Sequence, residues 1–162
     1  MANLKELRNR ITSVSSTMQI TSAMKMVSAA KLNKAQDAIT KMRPYSNKLT
    51  ELLQSLSATL DADSGSDFAE ERQINKVLIV AISSNRGLAG AFNTNIIKKV
   101  KSLTETTYKG ISTEVITIGK KANDILKKTH TVTTNNNSLF DDLSFENVAE
   151  VAEDLMAKFK NR

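Results

Sequence analysis

Apolar residues near the start of the chain fall on a single seven-residue frame. It begins at Leu4 and runs through Leu7, Ile11, Val14, Met18, Thr21, Lys25, Ser28, Leu32, Ala35, Ile39, Met42, Ser46, Leu49, Leu53 and Leu56 to Leu60, and thirteen of its seventeen positions are apolar. Steps of alternately three and four residues keep one stripe of a helix turned toward a neighbouring helix, so residues 1–60 are predicted to form half of a coiled coil. At ~1.5 Å per residue the rod is roughly 85 Å long. Twelve of the apolar side chains on the frame are large. Leaving each in water forfeits about 1.5 kcal/mol, roughly 18 kcal/mol together, which exceeds the whole stability of a typical domain. A partner helix is therefore expected.

Local signals agree with one long helix. Asn3 stands at a cap position, with Glu6 three residues on as in a capping box. Between Ile11 and Ala30 the only charge is Lys25, among Ser, Thr, Ala and Met. Such a surface packs closely because few long side chains fix one register. Pro44 removes a backbone bond and crowds the preceding turn. Because the frame stays in phase from Met42 to Leu49, a kink is expected there.

The pattern then changes period. Residues 61–75, rich in Asp, Ser and Glu, read as a linker. The spacing of Asp61, Asp63 and Asp67 faintly resembles a calcium loop, but Gly65 occupies a ligand position, and a solvated linker is the better reading. Lys76–Ile82 is a continuous apolar run of the kind buried on both faces of a parallel sheet. It leads into the turn Ser84-Asn85-Arg86-Gly87-Leu88-Ala89-Gly90 and a helix over Thr94–Leu103. A second strand is predicted over Ile111–Ile118, with Gly119 turning it into a helix over Lys120–Lys128. A short third strand over His130–Thr134, on an edge, a loop over Asn135–Ser138 and an amphipathic helix over Phe145–Phe159 follow. Alternating strands and helices predict a small three-layer α/β domain over residues 76–162, with a mainly parallel sheet. The chain stops after a helix, where such a fold is expected to add another strand.

Composition narrows the chemistry. The absence of cysteine excludes disulfides and thiolate metal sites and fits a reducing compartment, and the single histidine, His130, cannot build a metal cluster. No stretch approaches the ~20 apolar residues of a membrane span, and the N-terminus has no signal-like apolar block. The net charge of +6 is concentrated on the rod. Residues 1–50 carry nine Lys/Arg against Glu6 and Asp37, giving +7, and the remainder carries fourteen against fifteen, giving −1. A basic helix suits nucleic acid, anionic lipid or an acidic protein surface, unless it is simply a solvated face.

Candidate sites are few. Gly87 and Gly90 do not form a GxGxxG, and the Lys-Ser/Thr pair of a nucleotide-binding loop is missing, so the turn reads as structural, with Arg86 exposed to a partner. Asp141, Asp142 and Glu146 lie near a helix start, where carboxylates favour the dipole. His130 has no evident nucleophile to serve, and Met18, Met24 and Met26 suit packing. No cofactor or metal is expected. Read without relatives, the chain is a long helix plus a small α/β domain without enzymatic machinery.

Two stretches resemble one family. Gln19-Ile20-Thr21-Ser22-Ala23-Met24-Lys25-Met26-Val27-Ser28-Ala29-Ala30-Lys31-Leu32 is similar to the opening-helix signature of the gamma subunits of rotary ATP synthases. Ser84 to Gly90 followed by Phe92-Asn93 is similar to that family's second signature and stands after a strand, as the family requires. Gly119-Lys120-Lys121, Leu139-Phe140-Asp141 and Ser144-Phe145-Glu146 also fit in order, whereas Asn85 stands where Asp is usual and Ala89 where Cys is common. The resemblance implies a Rossmann-like foot and a chain that continues with further strands and a C-terminal helix, antiparallel to the first. It further implies the central stalk of a proton-translocating ATP synthase, carrying torque between the membrane ring and the catalytic hexamer without catalysing the reaction itself. The implied partners are the alpha and beta subunits, the epsilon subunit and the proteolipid ring, with a peripheral location on the cytoplasmic face of the bacterial plasma membrane. Met24, Lys25 and Arg86 are the expected contacts with the beta subunits. Two other readings stand beside this one. A basic coiled coil binding nucleic acid needs stacking aromatics, and Tyr45 is the rod's only one; a phosphate-binding α/β enzyme needs a ligand at the Gly87–Gly90 turn.

Overall fold

The heptad frame is one helix. In the computed structural model, which describes residues 3–59, 68 and 73–161, α1 spans Leu4–Thr59. Asn3 caps it: the Lys5 N–H donates to Asn3 Oδ1 at 3.1 Å, and the Leu7 N–H closes the first turn on the Asn3 carbonyl at 3.1 Å. The helix runs through Pro44 unbroken, which excludes a split at that residue. Proline lacks an N–H, so the Thr40 carbonyl loses its usual partner there. Every side chain described from Asn3 to Leu56 is exposed, the frame residues Leu7, Ile11, Val14, Met18, Leu32, Ile39, Met42, Leu49 and Leu53 among them.

Contacts divide the chain into two units, Met1–Ser64 and Gly65–Arg162. The linker expected over residues 61–75, with Asp61, Asp63 and Asp67, lies almost wholly outside the described residues. The second unit is built on a three-stranded parallel sheet in the order β1-β2-β3, where β1 is Lys76–Ile82, β2 is Ser112–Ile118 and β3 is Val132–Asn135. β1 and β2 pair in step from Lys76 opposite Ser112 to Ile82 opposite Ile118. The pairing of β2 with β3 is shifted between Val115 and Ile116. The Lys76 ammonium and Glu114 carboxylate, 2.7 Å apart, tie the starts of the first two strands.

Two crossovers of one hand running in the same direction along a parallel sheet are expected to put both helices on one face, and α2 and α3 do share one. That face forms the core. Ala81 and Val115 pack with Ile97 and Val100 of α2 (Phe92–Ser102) and Ala122 and Leu126 of α3 (Lys120–Leu126), flanked by Ile79, Ile96 and Val132. Side chains alternate along a strand, so Val80, Ile82, Ile116 and Ile118 belong to the opposite face. At β2 this face is buried, but at β1 it is not: Val80 is 37% and Ile82 54% exposed. The apolar run of Lys76–Ile82 is thus an edge strand covered on one face, rather than a central strand covered on both.

Three details depart from the periodic pattern. α2 ends in a single π turn, Leu103–Thr107, where the Tyr108 N–H reaches back to the Leu103 carbonyl at 2.9 Å. A 3-10 turn, Asn137–Phe140, occupies part of the stretch expected as loop. The last helix, α4 (Phe145–Asn161), has no fully buried residue, with Phe145, Met156 and Phe159 exposed, although Phe159 stacks on Phe68 at 5.8 Å between ring centres.

Candidate partner-binding site

The turn after β1 is a rigid tip. Its base is Ser83, fully buried, whose N–H donates to the Ile118 carbonyl at 2.8 Å and whose Oγ accepts the Ala122 N–H at 2.9 Å. Gly119 packs directly against it with φ of 112°, and a β-carbon there would sit 2.1 Å from the Ser83 carbonyl oxygen. Only glycine permits this closure between the ends of β1 and β2. Next, the Ser84 N–H donates to Asn93 Oδ1 at 3.0 Å, and Asn93 Nδ2 donates back to Ser84 Oγ at 2.9 Å. The Lys121 N–H donates to the Ser84 carbonyl at 3.1 Å. Asn85 completes the frame: its Oδ1 accepts the Lys120 N–H at 3.0 Å, and its Nδ2 donates to the Asn137 carbonyl at 2.8 Å.

Everything beyond that frame faces outward. Arg86, Gly87, Leu88, Ala89 and Gly90 are exposed, and Leu88 is completely so, in a left-handed backbone conformation with φ of 62°. For a residue with a β-carbon that conformation costs roughly 1–2 kcal/mol. A bulky apolar side chain is thus held in water on a strained backbone, two residues along the chain from Arg86. The Lys121 stem runs next to Gly87, within 3.9 Å of where a β-carbon would stand. The tip therefore offers an apolar point with a basic border, which suits an acidic protein surface with a small apolar recess.

The same geometry already uses two of the amide donors that a phosphate cradle draws on. Such a cradle needs free N–H groups at the turn and the helix start. Here the Ser84 N–H is taken by Asn93 and the Phe92 N–H by the Ala89 carbonyl at 3.2 Å. Among the described residues there is no group of three or more His, Cys, Asp and Glu able to hold a metal ion. The start of α4 is capped by Ser144, whose Oγ accepts the Asn147 N–H at 3.3 Å, while Asp142 accepts from Asn147 Nδ2. Half-buried His130 lies between two hydroxyls, with Thr104 Oγ1 3.2 Å from Nε2 and Thr129 Oγ1 2.8 Å from Nδ1, and so joins the π turn to the approach of β3.

On α1, Lys25 and Met24 are both exposed but serve different faces. Lys25 is on the heptad frame and lines an open groove of about 510 Å³ with Val14, Thr17, Met18, Thr21 and Ser22. A second groove of about 440 Å³ adjoins it, lined by Arg10, Ile11, Val14, Ser15 and Met18. Met24 is off the frame, so a helix laid on the seam covers Lys25 and leaves Met24 to another neighbour. Arg86 belongs to the other unit. Sequence reasoning singled out Arg86 and missed Leu88, although a large apolar residue between two glycines is the signal that finds it.

Among the described residues no helix is long and apolar enough to cross a membrane. The model of the ATP synthase family matches residues 3–162. An ATP synthase gamma chain of Christiangramia forsetii is 70% identical over 159 residues, covering 98% of this chain and 56% of the relative. The gamma chain of Flavobacterium psychrophilum is 67% identical over 98% of this chain and 55% of its own length, and that of Cytophaga hutchinsonii 47% identical over 96% and 55%. The chain thus spans about half the length of the curated relatives it matches. The helical seam, the glycine turn after a parallel strand and these relatives agree: the chain belongs to the gamma chains of the ATP synthase family.

Proposed function

We propose that α1 is part of the central shaft of a proton-translocating ATP synthase and that the α/β unit is part of its foot. The observation that carries this reading is the seam of α1, a heptad face exposed from Leu4 to Leu53 in a chain that spans 56% of a relative's length. The shaft touches three catalytic sites of the same chemistry. It biases them differently only through unequal contacts, so an asymmetric rod is what torque transmission needs. The excess positive charge of residues 1–50 attracts acidic loops of the surrounding subunits, and the nearly uncharged stretch from Ile11 to Ala30 limits the wells that stall rotation.

In this role the chain catalyses nothing; nucleotide and any magnesium belong to the beta subunits. Met24 and Lys25 on the rod and Arg86 with Leu88 on the tip meet the alpha and beta hexamer. The epsilon subunit and the proteolipid ring bind the foot, and the assembly is peripheral on the cytoplasmic face of the plasma membrane. Purification of the tagged full-length chain from native membranes tests this. Recovery of alpha and beta subunits in defined proportion supports the shaft, and recovery with nucleic acid that survives physiological salt contradicts it.

A further inference from the structure

The α/β unit has two ends of different chemistry. The tip stands where the strands finish; α2 and α3 start there and run back along the sheet, so their last turns lie where the strands begin. A seven-residue strand separates the two ends by roughly 20 Å. Lys98, Lys99 and Lys101 fall in the second half of α2, Lys109 precedes β2, and Lys127 and Lys128 follow α3. Lys76 at the start of β1 belongs to the same end, and the carboxylates there are Glu105, Glu114 and Asp124. Lys76 pairs with Glu114, and Lys127 with Asp124 at 3.9 Å. The other lysines, of which Lys101 is half-buried and the rest exposed, form no ion pair among the described residues. The tip end is balanced, with Arg86, Lys120 and Lys121 against Asp141, Asp142 and Glu146.

A lysine or two in a last turn only answers the helix dipole. Unpaired lysines gathered from α2, from the end of α3 and from the approach to β2 exceed that need. No arginine is among them. An ammonium is a compact, strongly hydrated charge, whereas arginine with large apolar anchors marks docking on a protein. From Lys98 to Lys128 the large apolar residue left exposed is Ile125, at 45%, in contrast to Leu88 and Arg86 at the tip. We propose that this lysine end is an electrostatic seat for anionic lipid headgroups. The inference rests on the shaft reading: with the tip against the hexamer, the opposite end of the unit is the one turned toward the membrane. Clusters of about four to eight lysines suffice to hold a protein at an anionic bilayer, through an attraction that fades within a Debye length. A diffuse negative surface needs neither a fixed register nor an apolar anchor, so it holds the foot without stopping its rotation.

The test is sedimentation of the full 162-residue chain with vesicles of phosphatidylcholine, alone or with about one third phosphatidylglycerol, at ~0.1 M salt. Because α1 is also basic, two variants of equal charge are compared: K98Q/K99Q/K128Q in the α/β unit and K31Q/K34Q/K41Q on α1. Glutamine is close to lysine in helix propensity, so both keep their helices. The parent is expected to bind the anionic vesicles and not the neutral ones. K98Q/K99Q/K128Q should weaken that binding about tenfold or more, the α1 variant clearly less, and K98R/K99R/K128R should bind like the parent. Equal losses in the two glutamine variants show that net charge alone is at work, and binding to neutral vesicles or failure of the arginine variant shows that charge is not the cause; each overturns the proposal. Carried in a full-length gamma chain, K98Q/K99Q/K128Q is expected to co-purify with alpha and beta subunits and the proteolipid ring as the parent does. Its loss from the assembly places these lysines in a protein interface and overturns the lipid assignment. A parent that recovers no alpha and beta subunits fails the shaft reading itself, whatever the vesicles show.

Discussion

Asn85 holds Asn137 across 52 residues of sequence, its Nδ2 donating to the Asn137 carbonyl at 2.8 Å while its Oδ1 takes the Lys120 N–H. An amide does both; a carboxylate accepts only. At the position where the resembled family usually carries Asp, this chain uses the side chain as an internal bracket between the turn after β1, the start of α3 and the 3-10 turn. Asn85→Asp keeps the bond from Lys120 and sets a carboxylate oxygen against the Asn137 carbonyl. The expected loss is about 1–2 kcal/mol in urea unfolding. Unchanged stability contradicts the bracket.

Gly119 and Gly90 separate two costs of adding a β-carbon. Both have positive φ, but Gly119 also meets the Ser83 carbonyl at 2.1 Å, whereas nothing lies within 4 Å at Gly90. Gly90→Ala is expected to lose about 1 kcal/mol from backbone strain alone. Gly119→Ala must also push apart the ends of β1 and β2, and a loss above ~3 kcal/mol or failure to fold is expected. Comparable melting of the two variants contradicts the close approach.

Leu88 predicts a dissociation between folding and binding. Leu88→Asn places a residue tolerant of left-handed φ at an exposed position, so stability is kept or raised by a few tenths of a kcal/mol. Binding to the alpha and beta hexamer is expected to weaken several-fold as the apolar tip is lost. Sedimentation of the variant subunit with the hexamer reads this directly, and undiminished association removes Leu88 from the interface.

Met24→Lys adds a second ammonium next to Lys25 on a face that the proposed shaft turns toward the hexamer. Desolvating it without a counter-charge is costly. A lower yield of ATP per proton moved, in inverted vesicles, is the expected outcome, and an unchanged ratio contradicts contact at Met24.

Which features were legible follows from which ones are periodic. The frame that starts at Leu4 located α1, which begins at Leu4 and is helical throughout the described residues to Thr59, and the apolar run Lys76–Ile82 located β1 without error. The third strand begins at Val132 rather than His130, because His130 is held by Thr104 and Thr129 and strand pairing starts where Val132 meets Val115. The π turn over Leu103–Thr107 has no period of its own to betray it. Thr104 stabilises it locally, donating to the Lys101 carbonyl at 2.9 Å. At the tip, the glycines marked a turn, yet the left-handed residue besides Gly90 is Leu88 and not Gly87. Asn85's role was out of reach because both its partners are distant in sequence. At Pro44 the residue's chemistry points to a kink or a split, and the frame in phase on either side points to the kink; the helix is not split there.

The central claim is that the exposed seam of α1 exists to be covered by another helix. Sedimentation equilibrium combined with circular dichroism, on the 162-residue chain and on a full-length gamma chain containing it, tests this most directly. The account predicts that the shorter chain self-associates or loses helix on dilution, and that the longer chain remains monomeric with its helix intact. A shorter chain that stays monomeric and fully helical at low concentration would contradict it.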